Sequence, residues 1–353
     1  MFILCLTLFS LRVQAKSTTV LIYWAVDNDL YEFSLPYLKQ FETLVANPNL
    51  NLVLEYDYPD HRPTERFHNF KLIEQIGEKD SAHPDTLSNF IQFGVENYPA
   101  DEFILLIASH ASNWSGLIED STSESYMSLA DFTKTLERSS HLLPKKKFDM
   151  IIFDACRMSY VETAFMIGKY TNLILGSAFN VYGFNHQAPL MRHAKKQRSV
   201  LETGIDYVEV YPYFPGNSGL PDVGASLLNV SDFLDVLPLS RLFNSLNAKS
   251  DTELSFFFNS LYKLKGEPGE DDWGLDLLQF IRLAGEHFSD LQAESFFLTA
   301  RYTPTVIRSS VTKESYAHRG LGITCAEDLN EYHKFSMSRI LPEWAKLCGR
   351  MRE

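Results

Sequence analysis

The sequence predicts an α/β protein whose mostly parallel central sheet is covered by helices on both faces. Two observations carry that prediction. The strand-like runs are continuously apolar, as strands buried on both faces must be. They also alternate with stretches whose apolar residues recur at helical spacing.

The first run, Thr18 to Val26 (TTVLIYWAV), closes on a polar turn, Asp27-Asn28-Asp29. Leu30 to Val45 reads as a helix with Phe33, Leu35, Leu38, Phe41 and Leu44 as apolar positions, stopped by Asn47-Pro48-Asn49. Leu50 to Tyr56 is a second strand, and the loop Pro59 to Pro63 follows it. Thr86 to Tyr98 is helical, with Leu87, Phe90, Ile91 and Val95 on one face. Glu102 to Ser109 (EFILLIAS) is a buried strand, Leu129 to Glu137 a short helix and Met150 to Phe153 another buried strand. That strand runs through Asp154-Ala155-Cys156 towards a helix over Tyr160 to Lys169, and Asn172 to Ser177 is a further strand. The second half is less regular. Residues 184–224, rich in Pro, Gly, Tyr and His, read as loops. Leu227 to Leu246 holds a strand and then a helix opened by Ser231-Asp232. Trp273 to His287 is amphipathic, Leu321 to Thr324 reads as a strand and Tyr332 to Leu347 as a closing helix. There is no internal repeat and no interdomain linker.

Composition narrows the function classes. With 45% hydrophobic and 22% charged residues, the 353-residue chain is neither disordered nor fibrous. The 32 basic and 45 acidic residues leave a net charge of −13, which repels nucleic acid and anionic lipid and tolerates cationic partners. Residues 1–15 read as a signal peptide: Met1 to Phe9 (MFILCLTLF) is apolar, and Val13 and Ala15 suit cleavage after Ala15. The run lacks the basic residues that usually begin such a leader, as a truncated start would. Two other readings of it are a buried first strand and a lipidated Cys5. No stretch is long and apolar enough to cross a membrane. Residues 16–185 then form the expected catalytic core, and 186–353 an extension packed on the same core. Of Cys5, Cys156, Cys325 and Cys348, three remain after leader removal, so one stays unpaired. No cysteine or histidine spacing suits structural zinc.

In a parallel sheet, active sites form at the C-terminal ends of strands. His110 and Cys156 both fall there, 46 residues apart, which allows one crossover between neighbouring strands. A thiol attacks a carbonyl as the thiolate, so it needs an imidazolium or a helix N-terminus beside it, and Cys156 is expected to have both. A lone cysteine is more often a buried core thiol. The strand-end placement and the upstream histidine reverse that preference.

At this point the chain resembles the clostripain-type cysteine peptidases, relatives of the caspases and gingipains. Val20 to Leu30 resembles the family's opening strand and Asp-Asn-x-Leu turn. Phe103 to Trp114 (FILLIASHASNW) resembles the strand ending in His-Gly-Ser-Gly-Trp, and Phe148 to Glu162 (FDMIIFDACRMSYVE) the nucleophile segment Asp-Ala-Cys-x-Met. Leu321 to Trp344 resembles the closing strand and helix. The resemblance implies a caspase-like three-layer α/β/α sandwich, Cys156 as acylating nucleophile and His110 as the residue that protonates the leaving amine. It implies that Asp154 lies at the floor of the S1 pocket and selects Arg, then Lys, at P1, since a carboxylate in a narrow pocket favours a cation. It also implies that the backbone N–H of Ala111 helps bind the oxyanion.

The chain departs from the pattern at Ala111 and Asn113, where the family usually has glycine; alanine fits the first position only if φ is negative. Ser177-Ala178-Phe179-Asn180 also lacks the acid often found near the family's S1 pocket. Asn113 to Ala130 contains no Lys or Arg, so maturation cleavage at a basic residue would use Arg138 or Lys145 to Lys147 instead. No cofactor is required, although calcium could bind the acidic cluster Glu267, Glu270, Asp271, Asp272 and Asp276. A solvated acidic loop explains that cluster more simply. The expected function is a secreted, monomeric endopeptidase acting on peptides or proteins in the periplasm, cell envelope or extracellular space. The alternative is a catalytically impaired homologue that binds peptides on the same scaffold. A third reading, a thiol amidase, would keep the Cys–His pair without needing Asp154.

Overall fold

The computed structural model describes residues 16–42, 48–183, 186–196, 198–213, 223–231, 234–265, 273–311, 320–326, 329–334 and 336–352. The signal peptide assigned to 1–15 and the acids Glu267, Glu270, Asp271 and Asp272 lie outside the described residues.

In chain order the elements are β1 (Thr18–Ala25), α1 (Tyr31–Glu42), β2 (Leu50–Asp57), β3 (Glu65–His68), β4 (Lys71–Gln75), α2 (Pro84–Asn97), β5 (Glu102–Ala108), β6 (Gly116–Asp120), β7 (Ser125–Ser128), α3 (Leu129–Ser140), β8 (Phe148–Asp154), α4 (Val161–Ile167) and β9 (Thr171–Gly176). Then come α5 (Gln187–Lys196), α6 (Val200–Val210), β10 (Gly224–Asn229), α7 (Leu239–Asn247), α8 (Asp251–Asn259), β11 (Lys263–Lys265), β12 (Trp273–Asp276), α9 (Leu277–His287), α10 (Gln292–Tyr302), β13 (Val306–Val311), β14 (Gly322–Cys325), α11 (Leu329–Lys334), α12 (Ser336–Ile340) and α13 (Pro342–Arg352).

Nine strands form the main sheet in the order β13-β10-β9-β8-β5-β1-β2-β3-β4. Its centre, β9-β8-β5-β1-β2, is parallel throughout, and antiparallel strands flank it on both sides. Period-two alternation sends Leu21, Tyr23 and Ala25 of β1 into one core and Val20, Ile22 and Trp24 into the other. Helices α2, α3, α4, α7, α9 and α13 pack on the first face, and α5 and α6 on the second. Three layers with a mostly parallel sheet are thus what the apolar runs predicted.

Several local readings need correction. Residues 184–224 are not all loop, because α5 and α6 lie there. Helix α6 is held by a reciprocal capping box between Ser199 and Glu202, and Pro189 of α5 sits in the first turn, where its missing N–H costs nothing. The helix after β10 starts at Leu239 rather than Ser231, whose N–H and hydroxyl both bond the Asn229 side chain. Trp273 to Asp276 is strand, pairing β14 in a small sheet β11-β12-β14, before Asp276 caps α9. The closing helix is three short pieces, and Pro342 begins the last of them. Cys325 and Cys348 form a disulfide across 5.5 Å between Cα atoms, and Cys156 is the free cysteine among the described residues.

Candidate active site

The pairing of β5 with β8 sets the geometry. Ala108 stands opposite Asp154, so His110 and Cys156 each lie two residues beyond a paired position on adjacent parallel strands. Such strands are about 4.8 Å apart. The same alternation directs Ala108 and Ile152 to one face of the sheet. Asp154, the last residue of β8, continues that face, and Cys156 and His110 lie just beyond the two strand ends.

His110 is half-exposed, and its Nε2 lies 2.6 Å from Oδ1 of Asp29, in the turn after β1. The imidazole therefore has an orienting carboxylate that the sequence showed only as a turn residue, 81 positions away. With Nε2 engaged there, Nδ1 is the nitrogen left to face a substrate. The loop beyond His110 is fixed by the β6–β7 hairpin. Ile118 N–H bonds the His110 carbonyl at 2.9 Å and Ser112 N–H bonds the Gly116 carbonyl at 3.0 Å, bracketing an antiparallel bridge between Ala111 and Leu117. This ladder does not use the Ala111 N–H. Ala111 is not among the residues with positive φ, whereas Asn113, at the second glycine position, has φ 50°. Asparagine is one of the few non-glycine residues that enters this region readily. Its side chain is buried and donates to the Thr324 hydroxyl. Gly116, at φ 146°, could not be replaced, since a Cβ there would sit 2.2 Å from the Met127 carbonyl.

Cys156 leaves β8 through a sharp turn in which Arg157 adopts φ 58°. Arg157 N–H bonds the Phe179 carbonyl at 3.1 Å, Ser159 N–H bonds the Ser177 carbonyl at 2.8 Å, and Val181 N–H points at Sγ of Cys156 at 3.3 Å. The segment after β9 thus wraps the thiol and offers it a donor that a thiolate accepts better than a thiol. Helix α4 begins only at Val161 and is seven residues long, so Cys156 is not at its first turn. The expected helix N-terminus is not what faces the sulfur. Buried Glu162 of α4 accepts from Thr324 N–H at 2.9 Å and from the Tyr332 hydroxyl at 3.2 Å, and Tyr332 packs edge-on against Trp114 at 5.3 Å. The closing segment therefore ties the helix after Cys156 to the loop after His110. Burial pushes the Glu162 carboxyl up to about 7.

Asp154 is largely buried, and its Oδ2 lies 2.8 Å from Nε2 of His186, whose ring is fully enclosed. Tyr37, Tyr207 and Tyr211 lie within electrostatic reach of Asp154. Burial first, and then the Asp154 charge, raise all three phenols, Tyr37 to about 12, and Cys156 adds to the effect at Tyr211. Tyr211 thus lies within electrostatic reach of both the thiol and the carboxylate. Both His186 and Tyr211 fall in the stretch read as loop: Tyr211 belongs to the Tyr207 to Phe214 run, whose rings suggest a substrate-binding wall or, more simply, packing, whereas nothing local singles out His186. Of the acidic cluster suggested for calcium, Asp276 alone is described, and it accepts from Gln279 N–H at 2.8 Å as a helix cap.

The family model described as the clostripain family matches residues 22–323. Clostripain from Hathewaya histolytica is 27% identical over 192 residues, 42% of this chain and 36% of its own length, so the match spans about a third of that relative. An inactive zymogen C11 protease from Parabacteroides distasonis superposes with TM-score 0.70 at 22% identity, over 92% of this chain and 98% of its own. A secreted C11 cysteine protease from Bacteroides thetaiotaomicron, solved with an irreversible peptide inhibitor, superposes with TM-score 0.66 at 18% identity, over 94% and 99%. These two share the fold. With the family model spanning most of its length, the chain belongs to the clostripain family of cysteine endopeptidases.

Proposed function

We propose that this chain is an exported cysteine endopeptidase that cleaves after Arg, and less readily after Lys, with Cys156 as nucleophile and His110 as its acid–base partner. The observation that supports the reading is the register of β5 and β8, which pairs Ala108 with Asp154 and so runs the strand ends leading to His110 and to the free Cys156 side by side. In this reading the Cys156 thiolate attacks the P1 carbonyl carbon and the π electrons move to oxygen. The Ala111 N–H stabilises that oxyanion. Nδ1 of His110 gives its proton to the departing amine as the C–N bond breaks, leaving an acyl-enzyme. The imidazole then takes a proton from water, whose oxygen displaces the thiolate. Asp29 holds the ring at Nε2 throughout. Asp154 receives the P1 cation with one oxygen while His186 holds the other. No metal or organic cofactor takes part in bond breaking.

Residues 16–185 carry the reacting groups, and 186–353 supply the pocket wall at His186 and Tyr211. Export rests on the apolar leader at 1–15 and on the relative described as secreted. Among the described residues no helix is long and apolar enough to cross a membrane. The substrate is a peptide or protein rather than nucleic acid, and the enzyme acts as a monomer.

The test is a panel of fluorogenic peptides with Arg, Lys, Ala or Asp at P1, run on residues 16–353 and on Cys156→Ala. Turnover confined to Arg and Lys and lost in the variant supports the reading. Turnover of Ala peptides would leave Cys156 in place and remove Asp154 as selector. No turnover of any peptide, even after cleavage near Arg138 or Lys145 to Lys147, would favour a peptide-binding homologue.

A further inference from the structure

Asp154 ends β8, and His186, 32 positions later, comes back to meet it. Nε2 of His186 lies 2.8 Å from Oδ2 of the carboxylate. A carboxylate oxygen accepts, so the imidazole N–H donates. The histidine is held from two helices. Its carbonyl accepts from Leu190 N–H of α5 at 3.2 Å and from the Tyr207 hydroxyl of α6 at 3.4 Å. The Tyr207 ring packs against the imidazole at 5.6 Å between centroids. His186 is only 2% exposed, and turning its ring out to solvent would break these contacts.

Tyr37, Tyr207 and Tyr211, which also feel the Asp154 charge, are phenols that burial keeps uncharged. They add no positive charge to the site, whereas one carboxylate oxygen already carries the imidazole. That division matters for the choice between two P1 cations. A guanidinium binds a carboxylate best as a fork, through two parallel N–H···O bonds that use both oxygens. An ammonium is a compact point charge and needs only one.

We propose that His186 sets the selectivity between Arg and Lys at P1: by holding Oδ2 of Asp154 it leaves a one-point acceptor, so Arg loses the second arm of its fork and exceeds Lys by only a small factor. His186 acts through Asp154 and touches no reacting atom, so it is a positioning residue. The inference rests on the reading of Asp154 as the acid that receives P1.

The test measures kcat/KM for matched fluorogenic peptides with Arg or Lys at P1. The Kd of the same peptides on Cys156→Ala, by calorimetry, reads the contact without any turnover. In the parent, Arg should exceed Lys by less than about tenfold, the worth of one charge-assisted hydrogen bond. His186→Leu keeps bulk but removes the donor. It frees Oδ2 and should raise the Arg-to-Lys ratio at least roughly fivefold, through KM and Kd rather than kcat. His186→Gln, whose amide N–H can reach the same oxygen, should keep the parent ratio. Circular dichroism checks both variants for folding. A parent ratio above tenfold would overturn the proposal whether or not His186→Leu folds. An unchanged ratio in folded His186→Leu would also overturn it, as would an equal rise in His186→Gln. Asp154→Asn separates the two readings. If it weakens both peptides while His186→Leu leaves the ratio alone, Asp154 stands as selector and the role of His186 falls. If it weakens neither, the selector falls and takes the role of His186 with it.

Discussion

The C-terminal edge of one parallel sheet carries two polar clusters that solve opposite problems. Beyond β5 and β8, His110 and Cys156 are only partly buried, and each meets an oriented group, Asp29 or the Val181 N–H. Beyond β1, β2 and β6, Asp27, Asp57 and Asp120 are enclosed, and Oδ2 of Asp27 and of Asp57 has no hydrogen-bond partner among the described residues. The first cluster keeps its groups reachable and lightly held, which suits side chains that exchange protons and bonds with a substrate. The second concentrates like charge away from water, which favours the protonated carboxyl. Asp27 and Asp29 belong to the same turn, so the two clusters share one segment of chain.

The largest effect that would break this contrast is at the thiol. Cys156→Ala should reduce turnover of an Arg peptide by roughly 10⁴-fold or more with an unchanged melting temperature, measured by steady-state kinetics. A smaller loss would mean the reacting group lies elsewhere. Asp154→Asn should cost about a hundredfold in kcat/KM for Arg peptides and little for neutral ones, because a partly desolvated charge-assisted contact is lost. Asp29→Asn should lower kcat about tenfold with little change in KM, since the pair with His110 is solvent-exposed and worth on the order of 1 kcal/mol. A shift of the pH–rate profile in that variant would separate orientation of the ring from mere packing.

The smallest effect concerns Glu162 and the pH dependence of stability. Its folded-state pKa, raised to about 7, lies above the ordinary carboxylate value, so the native state binds more protons than the unfolded one between these values. Its contribution is therefore present at low pH and is lost as pH rises from about 4.5 through 7. Glu162→Gln should flatten the fall in melting temperature across that window. An unchanged slope would assign the dependence to other buried acids such as Asp57.

How far the sequence could be read followed burial. Strands β1, β5, β8 and β9 are apolar at nearly every position because helices cover both faces, so their pattern is local and legible. The β3–β4 hairpin went unread because all five residues of β4 are exposed and polar pairing leaves no period-two signal. Helices α5 and α6 were hidden by the Pro and Tyr content of their neighbourhood, although the Ser199…Glu202 capping box was present to be found. In the site, His110 and Cys156 were visible because strand ends can be located from strands. Asp29, His186 and the buried Asp27, Asp57 and Asp120 were not, since each looks like an ordinary strand-end or turn residue until the chain folds. Asp27 and Asp120, for instance, are joined only by the register of the β6 hairpin against the β1 turn.

The central claim is that Cys156 is the nucleophile and His110 its partner. Its most direct test treats residues 16–353 with an Arg-bearing acyloxymethyl ketone and follows intact mass with peptide mapping. A single adduct on Cys156 is expected, formed at least a hundredfold more slowly in His110→Ala. An adduct on another residue, or equal labelling rates with and without the imidazole, would contradict it.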